Sequence, residues 1–292
     1  MHSLKADLDL LLAGTDRSLR IAADPVHFPR SYSKPADQEL AALIAAFLAY
    51  GRVDLFRPVL REVFALLDRR GGPEDAIRSF QPELHGDAYR HLVYRWNRGV
   101  DFVLLFTVLR EHLRDQPSLS PLFAGPTVRQ GLSRAVDRLR ATSVKHAKEC
   151  GLSAASFREL PRGFQYFLPS PDDGSACKRW NLFLRWMVRP TDGIDLGLWK
   201  EFSPAQLVIP LDTHIGRIGR FLGLTTRNTD SWDTAEDITA SLRKLDPSDP
   251  LRYDFAIAHL GISGACNGKF QAAVCPKCPL ERWCVVRNRQ VG

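Results

Sequence analysis

The tail of the chain reads Cys266-x8-Cys275-x2-Cys278-x5-Cys284, and no other feature limits the fold as strongly. Four thiolates at that spacing can close a loop around one metal centre. The x2 pair grips it from a tight Pro276-Lys277 turn, and the outer cysteines complete the coordination. Two inventories fit: a structural zinc with four thiolate ligands, or a cubane iron–sulfur cluster. The chain holds six cysteines in all, with Cys150 and Cys177 standing apart. Such clustering in a reducing compartment points to metal rather than disulfides. Spacing alone leaves iron and zinc both open. Lys269, Lys277, Arg282, Arg287 and Arg289 face only Glu281 in charge, so the loop suits a phosphate backbone. The plainer alternative is a solvated basic tail that staples the C-terminus.

The 292 residues are 45% apolar and 25% charged, enough for one large domain or two modest ones. The net charge of +7 favours an anionic partner, because neutralising phosphates releases counterions. The N-terminal residues mix His2, Lys5, Asp7 and Asp9 with leucines and read as a helix, not a signal peptide. The longest apolar run, residues 40–50, is short of the roughly 20 residues of a membrane span, and suits a core helix. A cytoplasmic protein is expected.

Helical periodicity runs through the sequence. Phe56, Val59, Leu60, Val63, Phe64 and Leu67 fall on one helix face, as do Trp180, Phe183, Leu184, Met187 and Val188, and again Tyr253, Ala256, Ile257 and Leu260. Residues 207–211 could be extended, but Pro210 breaks them as a central strand. Breakers at Gly71-Gly72-Pro73, 117–126, 169–174 and 246–250 divide the chain into short-looped helices.

The second informative stretch is Leu211-Asp212-Thr213-His214-Ile215-Gly216-Arg217. Asp212 reads as a helix N-cap, with Ile215, Ile218, Phe221 and Leu222 as the apolar stripe that follows. Arg217 and Arg220 lie off that stripe. His214 reads first as a structural histidine. This stretch resembles the V-D-T-H-x-x-R signature of endonuclease III and its relatives, the helix-hairpin-helix DNA glycosylases. In that superfamily the aspartate is catalytic, follows a hairpin, and precedes a C-terminal iron–sulfur loop in many members. The order is the same in this chain, although its first cysteine gap is eight residues where the family has six. Leu168-Pro169-Ser170-Pro171-Asp172-Asp173-Gly174 stands where the family carries L-P-G-V-G-x-K. Lys178-Arg179-Trp180-Asn181-Leu182-Phe183-Leu184-Arg185 resembles the K-x4-F-L-R run of archaeal 8-oxoguanine glycosylases, which puts Lys178 at the position of their Schiff-base lysine. Lys178, Asn181, Arg185 and Arg189 form a polar stripe suited to a cleft. Residues 37–53 resemble the family's first core helix, with Tyr50-Gly51-Arg52 at its cleft-facing end. Residues 71–164 resemble nothing in the family.

The resemblance implies an all-α, two-lobed fold with a DNA cleft. Residues 1–40 plus 225–292 would form the lobe carrying the cluster loop 266–284. Residues 41–224 would form the central lobe with the hairpin-like turn 168–178. It implies a base-excision glycosylase with AP lyase activity, a [4Fe-4S] cluster (zinc as the alternative) on Cys266, Cys275, Cys278 and Cys284, and a nucleoid-associated bacterial setting. The partner is double-stranded DNA with a damaged, modified or abasic site, met by a monomer away from any membrane. Asp212 would stabilise the oxocarbenium charge that develops on the sugar, and Lys178 would attack C1′. Arg52, Ser175, Arg179, Arg185, His214 and Arg217 would contact DNA. Phe164, Tyr166, Phe167, Trp180 and Trp186 are the aromatics near enough to clamp a flipped base, though most read as core. Cys177 beside Lys178 reads as a small buried thiol. The altered hairpin suggests an alternative, a DNA-binding or damage-sensing protein without chemistry. A more remote one is a zinc-stapled helical protein acting on RNA or protein.

Overall fold

Short polar side chains start several of the helices that periodicity predicts. Ser3, Thr127, Asp212 and Ser231 each accept a hydrogen bond from a backbone N–H of the first turn that follows, satisfying donors a helix start leaves orphaned. The computed structural model describes residues 3–16, 21–22, 24–190 and 192–285. Its longer helices are α1 (Leu4–Ala13), α2 (Pro35–Leu48), α3 (Val53–Asp68), α4 (Gly99–Leu113), α5 (Val128–His146), α6 (Lys178–Val188), α7 (Thr213–Phe221), α8 (Trp232–Arg243) and α9 (Asp254–Ile262). Strand among the described residues is confined to one small hairpin, β1 (Val93–Tyr94) and β2 (Asn97–Arg98), paired antiparallel. The fold is all-α in class. No described helix is long and apolar enough to cross a membrane. Arg287 and Arg289 of the basic tail lie outside the described residues.

The chain forms two compact units. One joins residues 1–22 to residues 174–292, and the other is residues 23–173. The expected boundaries near residues 40 and 224 differ from these for a physical reason. Helix α6 is buried on every side from Arg179 to Val188, and its arginines pair with Asp249 and Asp254, which draws it in with the C-terminal residues. The N-terminal helix is tied to the same unit: Tyr253 Oη donates to Asp9 at 2.8 Å and Trp283 Nε1 to Asp7 at 2.8 Å.

In the unit of residues 23–173, α2 and α4 are apolar nearly all round and take its centre. Helix α3 is amphipathic and buries Phe56, Leu60, Val63, Phe64 and Leu67. Phe47 stacks on Phe167 with ring centres 5.4 Å apart, and Phe102 meets Phe167 edge-on at 5.8 Å. Residues 207–211 of the other unit run without a strand partner. The buried N–H of Ile209 instead donates to Thr239 Oγ1 at 3.0 Å, which meets the need a ladder would have met.

Asp101, in the first turn of α4, accepts from the Arg98 N–H at 2.7 Å and is buried with its other oxygen unpartnered. Burial pushes this carboxyl up to about 6, against the pull of the Arg98 and Phe164 N–H groups. A raised carboxyl favours the protonated form in the fold. Its contribution is therefore present in full below the unfolded value and is lost as pH rises through about 6. Two pH units correspond to about 3 kcal/mol. Urea unfolding of wild type should show that decline between about pH 4 and 7, and Asp101→Asn should flatten it.

Candidate functional site

Asp212 is the N-cap of α7. Its Oδ1 accepts from the N–H groups of His214 and Ile215, both at 2.9 Å. That leaves a half-buried carboxylate fixed by one oxygen, with Oδ2 unengaged by any protein donor among the described residues. The carboxyl of Asp254 at the start of α9 is fully buried. Burial pushes it up to about 6, Arg185 pulls it down, and the charge of Asp212 nearby pushes it up again. Asp212 and Asp254 therefore share one electrostatic neighbourhood, and Arg185 of α6 reaches it too.

Lys178 is the first residue of α6 and is half-buried. Cys177 before it caps the helix with φ 48° and ψ 36°, a left-handed conformation that costs a side-chain-bearing residue about 1–3 kcal/mol. Ser175 pairs with Ser231 by backbone, and its Oγ accepts from the Cys177 N–H at 3.2 Å. Asn181, one turn into α6, is buried. Its Nδ2 donates to Ala176 O at 3.2 Å, but its Oδ1 has no partner. The structure thus puts Lys178, Ser175, Asn181 and Arg185 at one end or along one stripe of α6, in the same unit as Asp212 and His214.

Arg179 and Arg185 do not fit the DNA-contacting role expected of them. Both are buried, Arg185 to 4% exposure. Its Nε donates to Asp195 Oδ1 at 3.1 Å and its Nη1 to Asp254. Arg189, one turn on, holds Asp249 at 2.8 Å and also Asp195. The Arg185 and Arg189 part of the polar stripe thus faces carboxylates, not an open cleft. Arg217 is likewise engaged: its Nη2 donates to the Cys266 carbonyl at 2.6 Å and lies 3.4 Å from His214 Nδ1. His214 packs where α9 has Gly261; a Cβ there would fall 2.7 Å from the histidine ring. Arg52 belongs to the other unit, is exposed, and pairs with Asp54 at 2.7 Å. The acidic turn is partly neutralised, Asp173 accepting from Arg140 at 2.6 Å. Of the five aromatics considered as clamps, Phe164, Phe167, Trp180 and Trp186 are buried and only Tyr166 is exposed.

Cys266, Cys275, Cys278 and Cys284 line one cavity of about 60 Å³, walled otherwise mainly by Phe221, Leu260, Phe270 and Val274. Burial pushes the Cys266 and Cys278 thiols up, and the charges of their fellow cysteines add to it. The four sulfurs are therefore near one another across a space larger than one water needs. Among the described residues no three His, Cys, Asp or Glu side chains converge as a single-ion site.

Residues 24–263 match the profile of a family described as Protein of unknown function (DUF2400). The chain belongs to the DUF2400 family. Its matched residues include Lys178, Asp212 and the whole of residues 71–164, and end before Cys266. No curated protein and no solved structure matches this DUF2400 chain.

Sequence reasoning missed the buried acids Asp195 and Asp254 and the half-buried Asp249, which sit in loops or at a helix start with no periodic signal. The role of Arg185 can be checked directly. Arg185→Met leaves Asp195 and Asp254 short of a buried counter-charge, and breaking such a pair costs about 3–5 kcal/mol. Thermal unfolding should register that loss in the absence of any DNA.

Proposed function

We propose that this DUF2400 protein is a DNA base-excision glycosylase with AP lyase activity, acting through Asp212 and Lys178. The observation that carries the reading is the Asp212 carboxylate, held rigid by two N–H groups through Oδ1 while Oδ2 stays unengaged. A fixed charge of that kind stabilises cationic character at a sugar C1′ without reorganising. Lys178 supplies the nucleophile. Its Nζ forms a bond to C1′, and the base departs with the electrons of the glycosidic bond and takes up a proton. The Nζ lone pair then expels the ring oxygen O4′, which takes up the proton that Nζ sheds. The open-chain imine loses a C2′ proton and expels the 3′ phosphate, which nicks the strand. The strained Cys177 supports the assignment, since left-handed side-chain-bearing residues cluster where geometry serves function.

The four loop cysteines border one cavity, and that fits a [4Fe-4S] cluster on four thiolates, with zinc as the alternative. Such a cluster would cross-link the loop, and Arg217 on the Cys266 carbonyl would transmit that order to α7 and the Asp212 cap. The departure of residues 168–174 from the family's hairpin pattern favours the second reading, a DNA-binding protein without lyase chemistry.

Borohydride added to wild type on an abasic duplex should trap a covalent adduct, and Lys178→Ala should abolish it. Asparagine caps helices as well as aspartate does, so Asp212→Asn should keep its melting temperature. Its single-turnover base release should nonetheless fall about 10²-fold or more, the cost of losing one electrostatic stabiliser. Lesion-duplex binding by a wild type that never traps and never releases a base would support the second reading. Separately, protein purified without oxygen should hold about four iron and four sulfide per chain. Cys278→Ser should lose most of both, whereas zinc at about one per chain would replace the cluster assignment.

A further inference from the structure

The β1–β2 hairpin turns through only Arg95 and Trp96. Two-residue hairpin loops favour Asn-Gly, Asp-Gly or Gly-x, because the first position takes φ above zero. Arg95 occupies that position with φ 49°, one of only two side-chain-bearing described residues with positive φ. Turn stability does not reward Arg-Trp at this tip. Trp96 is 58% exposed, whereas Trp180, Trp186, Trp199 and Trp232 are at most 3% exposed.

The tip is exposed but not loose. Buried Asn97 accepts from Tyr50 Oη at 2.7 Å and donates to Gly163 O at 2.7 Å. Tyr94 Oη donates to Tyr50 O. The guanidinium of Arg98 donates to Arg95 O at 2.6 Å and to Asn97 O at 2.9 Å. The backbone that carries the projecting Trp96 is thereby pinned on both sides.

Its surroundings are cationic and aromatic. The Arg162 guanidinium sits 5.9 Å over the Trp96 ring, and Arg95 sits 6.0 Å over Tyr50. Tyr50 meets the exposed Tyr166 edge-on at 4.8 Å. The Arg95 side chain lies where a Cβ on Gly51 would fall, 2.6 Å from its Nε. No described carboxylate lies within ion-pair distance of Arg95 or Arg162. Of the acids at this surface, Asp54 is taken by Arg52 and Asp101 is buried.

We propose that this tip is a DNA-contacting wedge. Trp96 stacks in the gap left by a missing or extruded base, while Arg95, Arg98 and Arg162 hold flanking phosphates. Interleaved arginines and aromatics match a polyanion with π-faces, and apolar wedges enter base steps that are already unstacked. The inference rests on the reading of the chain as a DNA-acting protein and adds where the duplex is gripped.

The test uses the full chain and a short labelled duplex, either intact or carrying a tetrahydrofuran abasic analogue. Anisotropy is followed across a salt series. Trp96→Ala should bind the lesion duplex about tenfold more weakly and the intact duplex within twofold of wild type. The Arg95→Ser, Arg162→Ser double variant should weaken both, and shrink the slope of log K against log salt by about two. Thermal unfolding of each variant should match wild type, since the replaced groups are exposed. Equal weakening on both duplexes by Trp96→Ala, or no weakening by either variant, overturns the wedge. Borohydride trapping on a true abasic duplex runs alongside. A wild type that binds through Trp96 without trapping upholds the wedge and removes the lysine chemistry. A wild type that traps while Trp96→Ala binds unchanged removes the wedge alone.

Discussion

Arg185 and Arg189 leave α6 one turn apart, and neither reaches water. Each buried guanidinium must find carboxylates, because an unpaired charge in the interior costs several kcal/mol. They find Asp195 just beyond α6, Asp249 ahead of α9, and Asp254 on the first turn of α9. Asp195 accepts from both arginines and is wholly buried, so it ties the two together. This one network fixes the helix bearing Lys178 against the helix start bearing Asp254. A hydrophobic contact would allow sliding between α6 and α9, whereas paired guanidinium forks specify a single register.

From that register the rest of the unit follows in steps. Asp254 feels the charge of Asp212, so the α7 cap lies beside the same network. The His214 ring packs on Gly261 of α9, and Arg217 one turn later reaches the Cys266 carbonyl. Beyond Cys266 the loop returns to the N-terminal helix through Trp283 and Asp7. A chain of named contacts thus leads from a buried ion network to the capping carboxylate and on to the cysteine cavity. The cysteines need not touch a substrate to influence Asp212.

How much of this was legible in the sequence depends on the kind of signal. Asp212 was readable as a cap because capping is local, a polar residue before an apolar stripe. The gathering of Cys266, Cys275, Cys278 and Cys284 around one cavity was readable because their spacing is local too. The stripe of Lys178, Asn181, Arg185 and Arg189 was readable as a stripe, but periodicity gives a face without saying what covers it. Its partners lie up to 69 residues away in sequence, in segments without a period, so a buried network looked like a cleft lining. The unit boundary slipped for the same reason. The β1–β2 hairpin is too short to show alternation, and one tryptophan among arginines carries no periodic mark of being exposed.

The two side-chain-bearing residues with positive φ, Cys177 and Arg95, sit where local preference and structure disagree most sharply. Glycine would relieve each at no steric cost. At Cys177 the backbone turns so that α6 begins on Lys178. At Arg95 it turns so that Trp96 projects and a guanidinium lies across Tyr50. Cys177 is itself part of the buried interior, whereas Arg95 is exposed, so the Arg95 distortion is the one that no core requires. Strain that packing does not require persists when the side chains it orients are used. In one unit the turn sets Lys178 at the start of α6, and in the other it sets an exposed tryptophan among arginines.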